Sequence, residues 1–242
     1  GKNVVMGAFA MQDLNAGADA ENVAIGYVAM GNATTGKYNV AIGARAMENG
    51  VTTGDDNIAI GRYAGKEITS GERNTIIGSN AADALATGDY NVAIGYNALT
   101  TEDAGNRNTA VGYKSLEALN VDGDALNTAV GYAAGQAMTT GTYNTILGGH
   151  AGDALTEGNR NVAIGVQALS AETLGDRNVA IGFHALTLQN NTSDTDAYNV
   201  AVGYDSGKSI TTGVNNTLIG GLAGDAITTG SHNIAIGREA LS

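Results

Sequence analysis

The chain has 242 residues, 24 of them acidic and 12 basic, a net charge of −12, and no Pro, Cys or Trp. That balance argues against a nucleic-acid partner, which would require Lys and Arg to neutralise phosphates, and the lack of Cys excludes disulfides, thiolate metal sites and a Cys nucleophile. No apolar run approaches the roughly 20 residues that span a bilayer, and no basic start followed by an apolar stretch marks a signal peptide, so a soluble segment without membrane contact is expected.

From Asn3 onward the chain repeats one pentad fourteen times: Asn, a β-branched residue, a usually small apolar residue, an aliphatic residue and Gly. The anchoring residues are Asn3, Asn22, Asn39, Asn57, Asn74, Asn91, Asn108, Asn127, Asn144, Asn161, Asn178, Asn199, Asn216 and Asn233, and nine of the thirteen spacings are 17 residues. A fixed period of this length, one apolar signature per copy, predicts an all-β parallel solenoid of fourteen coils forming one continuous domain over residues 1–242. At about 4.8 Å per coil the stack would be on the order of 65 Å long.

Taken along one coil, the first residue after Asn is Val, Ile or Thr in every copy, which suits a strand and disfavours a helix. The third is always aliphatic, and alternation places the first and third positions on one face, read here as the interior. The second position then faces outward: Ala24, Ala41, Ala59, Ile76, Ala93, Ala110, Ala129, Ile146, Ala163, Ala180, Ala201, Leu218 and Ala235. A small apolar outward column needs cover, and the same face of another chain would supply it, so these residues are the candidate interface of an oligomer. A flat coil that hides this column internally stays open as the alternative. Gly closes every pentad, as a tight corner requires.

Seven residues after each Asn stands Ala or Ser, followed either by Leu or Met at the eighth position or by Ile, Leu or Met at the eleventh. One large side chain per coil whose place moves is what a constant interior volume demands. The switch follows pairs of coils and reveals a four-coil superperiod, with the copies at Asn57, Asn127 and Asn199 in correspondence. The Asn column itself would form an axial ladder that pins register.

Three linkers are long, those before Asn22, Asn127 and Asn199, and there the Gly three residues before the next Asn is lost. Gly17-Ala18-Asp19, Gly123-Asp124 and Asn191-Thr192-Ser193-Asp194-Thr195-Asp196 are the expected protruding loops. Their carboxylates, Asp122, Asp124, Asp194 and Asp196, could chelate calcium or meet a partner, although they match neither an EF-hand nor the Gly-Gly-x-Gly-x-Asp repeat. An aromatic column behind the corner Gly, formed by Tyr27, Tyr96, Tyr113, Tyr132, Phe183 and Tyr204, could stack on sugars or cover the coil edge.

At this point Asn22-Val23-Ala24-Ile25-Gly26, with identical pentads opening at Asn39, Asn91, Asn161 and Asn178, resembles the head repeats of YadA-like trimeric autotransporter adhesins. The Asn127 to Gly141 unit is similar to repeats of phage tail fibres. The resemblance implies a left-handed β-roll, three chains side by side, and an extracellular place on a bacterial surface or a virion tail. It also implies a fibre segment that projects a binding tip or mediates attachment to a surface glycan or protein receptor. The coils here are longer than the family's usual 14 to 16 residues.

Enzyme chemistry finds little footing. Gly203 to Ser209 has three residues between its glycines where a phosphate-binding loop has four; His150, His184 and His232 lie in separate coils; and no Ser sits in a nucleophile elbow. No cofactor is expected, and no catalytic residue is assigned. A further alternative is an ice-binding array on Thr34, Thr52, Thr69, Thr139, Thr156, Thr173, Thr211 and Thr228, interrupted by Ala86 and Asp103.

Overall fold

A computed structural model describes residues 2–12 and 20–242, so the first protruding loop lies outside the described residues. The protein is all-β, a parallel β-solenoid of about 13 turns of about 17 residues. It divides into two compact units, Gly1–Ala125 and Leu126–Ser242. Among the described residues no helix is long and apolar enough to cross a membrane.

In the first unit the pentad strands are β1 (Val4–Met6), β2 (Val23–Ile25), β3 (Val40–Ile42), β4 (Ile58–Ile60), β5 (Thr75–Ile77), β6 (Val92–Ile94) and β8 (Thr109–Val111), with the short β7 (Gly105–Asn106) and β9 (Gly123–Asp124) forming a separate pair. In the second they are β10 (Thr128–Val130), β11 (Thr145–Leu147), β12 (Val162–Ile164), β14 (Val179–Ile181), β16 (Val200–Val202), β17 (Thr217–Ile219) and β18 (Ile234–Ile236), with β13 (Gly175–Asp176) and β15 (Thr195–Asp196) as the short pair. Within each unit successive pentads pair in parallel and in exact repeat register, as in Val23 with Val40, Ala24 with Ala41 and Ile25 with Ile42.

The alternation assigned from the pentad is reversed. Ala24, Ala41, Ala59, Ile76, Ala93, Ala110, Ala129, Ile146, Ala163, Ala180, Ala201, Leu218 and Ala235 are buried inside a single chain, so none of them can form an interface with another copy. The reason is the Asn column. Asn and the second position lie two residues apart and therefore share one face of the strand. The amide is the interior group: Asn22, Asn39, Asn91 and Asn161 are buried, and each accepts a backbone N–H at Oδ1 and donates from Nδ2 to a Gly carbonyl. Positions one and three point outward, and the alternative of an internal column is the one realised. Val5 of β1 stands apart, 48 % exposed.

The Asn ladder links side chain to backbone. The N–H of Asn39 donates to Oδ1 of Asn22 at 2.8 Å, while Nδ2 of Asn39 donates to the carbonyl of Gly54 in the next coil at 2.8 Å. The same pair of bonds recurs at Asn91, Asn144 and Asn161. Two buried backbone groups per coil are satisfied this way, and an unsatisfied one costs about 1–3 kcal/mol. The ladder also accounts for the second Gly column: a Cβ on Gly88 would stand 2.3 Å from the Gly105 carbonyl oxygen and 3.1 Å from Asn91 Nδ2. At the longest linker the ladder stretches, with Asn199 N at 3.3 Å from Asn178 Oδ1, and Gln189 Oε1 accepts from Asn199 Nδ2 at 2.9 Å.

The rest of the interior fits around this column. Met30, Met47, Leu99, Leu116, Leu169 and Leu186 at the eighth position, or Ile68, Leu85, Met138, Leu155 and Ile210 at the eleventh, are buried, each contributing about 1.5–3 kcal/mol. The eighth position has positive φ whichever residue occupies it: +50° at Met47, +55° at Leu99 and +52° at Gly65. Large residues at the second position face small ones at the eighth. A Cβ on Gly65 would come within 3.0 Å of Ile76 Cδ1, and one on Gly224 within 2.7 Å of Leu218 Cδ2. Interior volume is conserved among three columns, one more than the two in which sequence reading placed it.

Candidate interaction surface

With the Ala column inside, each unit presents a parallel sheet whose outer face is made of β-branched and aliphatic side chains. In the first unit this face carries Val23 and Ile25, Val40 and Ile42, Ile58 and Ile60, Thr75 and Ile77, Val92 and Ile94, Thr109 and Val111. Most are partly shaded by the residue one coil away, and Ile58, Ile77, Ile219, Ile234 and Ile236 are exposed. Single exposed aliphatic residues are ordinary on soluble proteins, but a continuous sheet of them marks an association surface.

Aromatic side chains flank this face. Tyr27, Tyr96, Tyr113, Tyr132, Phe183 and Tyr204, which follow the corner Gly, are all exposed. The structure brings some of them together: Tyr96 stacks on Tyr113 and Phe183 on Tyr204, both with ring centroids 5.6 Å apart, while Tyr132 leans on His150 and Tyr27 meets Phe9 edge-on. They form short axial stacks on the surface and are not buried in the coil edge.

A second flank escaped the sequence reading. The residue just before each Asn from Asn22 onward has positive φ, and it is Tyr38, Tyr90, Tyr143 and Tyr198 or Arg73, Arg107, Arg160 and Arg177 in eight coils. Arg73 and Arg107 approach the Tyr90 ring at 5.4 and 5.6 Å, Arg160 the Tyr143 ring at 5.4 Å, and Arg177 the Tyr198 ring at 5.5 Å. The signal was present as recurring Tyr-Asn and Arg-Asn dipeptides. Its meaning depends on the 17-residue stacking, which converts a sequence repeat into cation–π neighbours.

The two described long linkers carry β9 and β15, which pair with the preceding coil at β7 and β13, and their carboxylates meet arginines. Asp124 pairs with Arg107 and Asp196 with Arg177, so those carboxylates neutralise two of the four arginines of the flank; Asp122 and Asp194 are exposed. Among the described residues no three His, Asp or Glu side chains converge in a way that could hold a metal ion. Beneath the loops lie two carboxylates that sequence reading passed over. Glu102 is buried and accepts from the N–H of Gly105 at 2.7 Å and of Val121 at 3.3 Å. Burial raises its pKa above the ordinary 4.5, partly offset by these backbone donors. Glu172 is its counterpart, accepting from Gly175 N at 2.8 Å, Asn191 N at 2.9 Å and Gln189 Nε2 at 2.8 Å. Both stand at the eleventh, interior position of a coil and anchor the long linker of the coil that follows. Glu at a column that holds Ile, Leu or Met in eight other coils was the available clue.

Other expected features have local roles. Lys208 of the loop-like Gly203 to Ser209 segment donates to Asp205 at 3.1 Å, which raises the lysine pKa. Thr69, Thr139, Thr156 and Thr211 donate their hydroxyls to carbonyls of the next coil, and Thr52 is buried, so the Thr array is largely consumed by the coil backbone. Comparison with models of known protein families, with curated proteins and with solved structures finds no match to this chain.

Proposed function

We propose that this chain is a non-enzymatic structural and adhesive fibre segment, the shaft or head of a trimeric surface adhesin or phage tail fibre. In this reading three left-handed coils stand side by side outside the cell or on a virion tail, and the segment projects or mediates attachment to a surface receptor. The single observation that carries it is the outward aliphatic face of the sheet, repeated in coil after coil at positions one and three. Such a face grows in proportion to coil number, so even a modest contact per coil sums to a stable assembly. The pentads at Asn22, Asn39, Asn91, Asn161 and Asn178 that resemble adhesin head repeats support the same reading. The interface it uses is the opposite face of the strand from the Ala column.

The test is a pair of charges on that face. Ile42→Lys with Ile60→Lys places two ammonium groups on neighbouring strands without touching the interior. Light scattering on the eluting protein should show a drop in mass with the β circular dichroism spectrum retained. An unchanged mass in a folded variant would remove this face as the interface.

A further inference from the structure

Beside the sheet, one residue past the aromatic column, three successive coils place Arg45, Tyr63 and Asn80 at equivalent positions, with φ of +62°, +60° and +55°. Three residues further along the last two of these coils stand Lys66 and Asp83. Together the five line an open cavity of about 260 Å³. Two coil spacings make it about 10 Å long, the length of one or two sugar rings.

We propose that this cavity binds a neutral hexose unit of a glycan. A pyranose presents an apolar C–H face and a rim of hydroxyls, each able to donate and accept. Tyr63, half-buried, supplies an aromatic surface for the C–H face. Its ring is held by Arg62, 4.6 Å from the centroid, and bordered by Arg45 at 5.8 Å and Lys66 at 5.9 Å. Asp83 is an acceptor for a hydroxyl pair, and the Asn80 amide, which makes no hydrogen bond among the described residues, offers both a donor and an acceptor. Arg45 and Lys66 add donors.

Charge decides between sugar classes. Arg45 pairs with Glu48 at 3.5 Å and Lys66 with Glu67 at 2.9 Å, so with Asp83 the cavity is no cationic hole. The chain as a whole carries −12 and repels acidic sugars. The second cavity, of about 230 Å³ beside Thr140, Glu157, Asn159, Leu174 and Asp194, has no aromatic surface and is not assigned a ligand.

The inference rests on the adhesive half of the proposed function and is independent of assembly. Saturation-transfer NMR on the full chain with glucose, galactose, mannose and their disaccharides, alongside glucuronate, tests it. At least one neutral sugar should receive saturation and glucuronate less. Tyr63→Ala should abolish the transfer, Tyr63→Phe should keep it, and Asp83→Asn should weaken binding about tenfold, with β circular dichroism unchanged in each. No transfer to any neutral sugar, equal transfer with Tyr63→Ala, or a preference for glucuronate would overturn the inference. Sugar binding by a monomer would leave it standing and remove the trimer, and a trimer that binds no sugar would do the reverse.

Discussion

The backbone N–H of Asn108 donates to Oδ1 of Asn91 at 2.9 Å, and the same Asn91 side chain donates from Nδ2 to the Gly105 carbonyl at 2.8 Å. One buried amide thus holds two points of the following coil. Asn91→Ala strands a buried N–H and a buried carbonyl and should cost about 2–5 kcal/mol in urea unfolding. Asn91→Asp keeps the acceptor but loses the donor, so it should also destabilise. If Asn91→Ala unfolds at the wild-type midpoint, the ladder does not hold the coils together.

Gly148 and Gly149 are adjacent in sequence and opposite in consequence. Gly148 has φ +140° and an added Cβ would stand 2.5 Å from the Gly165 carbonyl oxygen, whereas a Cβ on Gly149 meets nothing within 4 Å. Gly148→Ala should therefore cost about 3 kcal/mol or more, and Gly149→Ala should change stability by less than about 0.5 kcal/mol. Thermal melts of the two variants side by side make the comparison.

Much of this architecture is legible from the pentad and its period. The parallel strands, the corner Gly and the ladder all follow from columns that never vary, such as Asn39 and Gly43. The inside and outside of the coil do not follow from hydrophobicity, because both faces of Val40-Ala41-Ile42 are apolar. They are set by where the Asn39 amide finds its partners, and those lie in the next coil at Gly54, out of reach of any local pattern. The Tyr–Arg flank and the Tyr63 cavity were hidden for the same reason: Arg73 and Tyr90, or Arg45 and Asn80, become neighbours only through stacking.

Interior volume gives a third test. The atom nearest to a Cβ built on Gly65 is Ile68 Cδ1, at 2.7 Å. Gly65→Ala alone overpacks at positive φ, and Ile68→Val alone loses one methyl, each costing about 1–3 and 0.5–1.5 kcal/mol respectively. Combined, they should cost less than their sum by about 1 kcal/mol, because valine lacks the clashing methyl. A double-mutant cycle in denaturant measures that coupling, and strict additivity would contradict shared volume.

Glu102 makes stability depend on pH with a definite sign. Its folded pKa is raised by burial above the 4.5 of the unfolded chain, so the folded state binds more protons over that interval. The stability it contributes is full below the unfolded value and is lost as pH rises through the folded one. Glu102→Gln removes this titration. The difference in melting temperature between the variant and wild type should shift in favour of the variant between pH 4 and pH 7, as followed by circular dichroism at about unit pH steps. A difference that stays constant would mean that Glu102 does not titrate on folding.

The claim that the outward aliphatic columns serve side-by-side assembly is tested most directly by sedimentation equilibrium of the unmodified chain at micromolar concentration. The account predicts a single species with three times the 24.3 kDa chain mass. A single species of 24.3 kDa would contradict it.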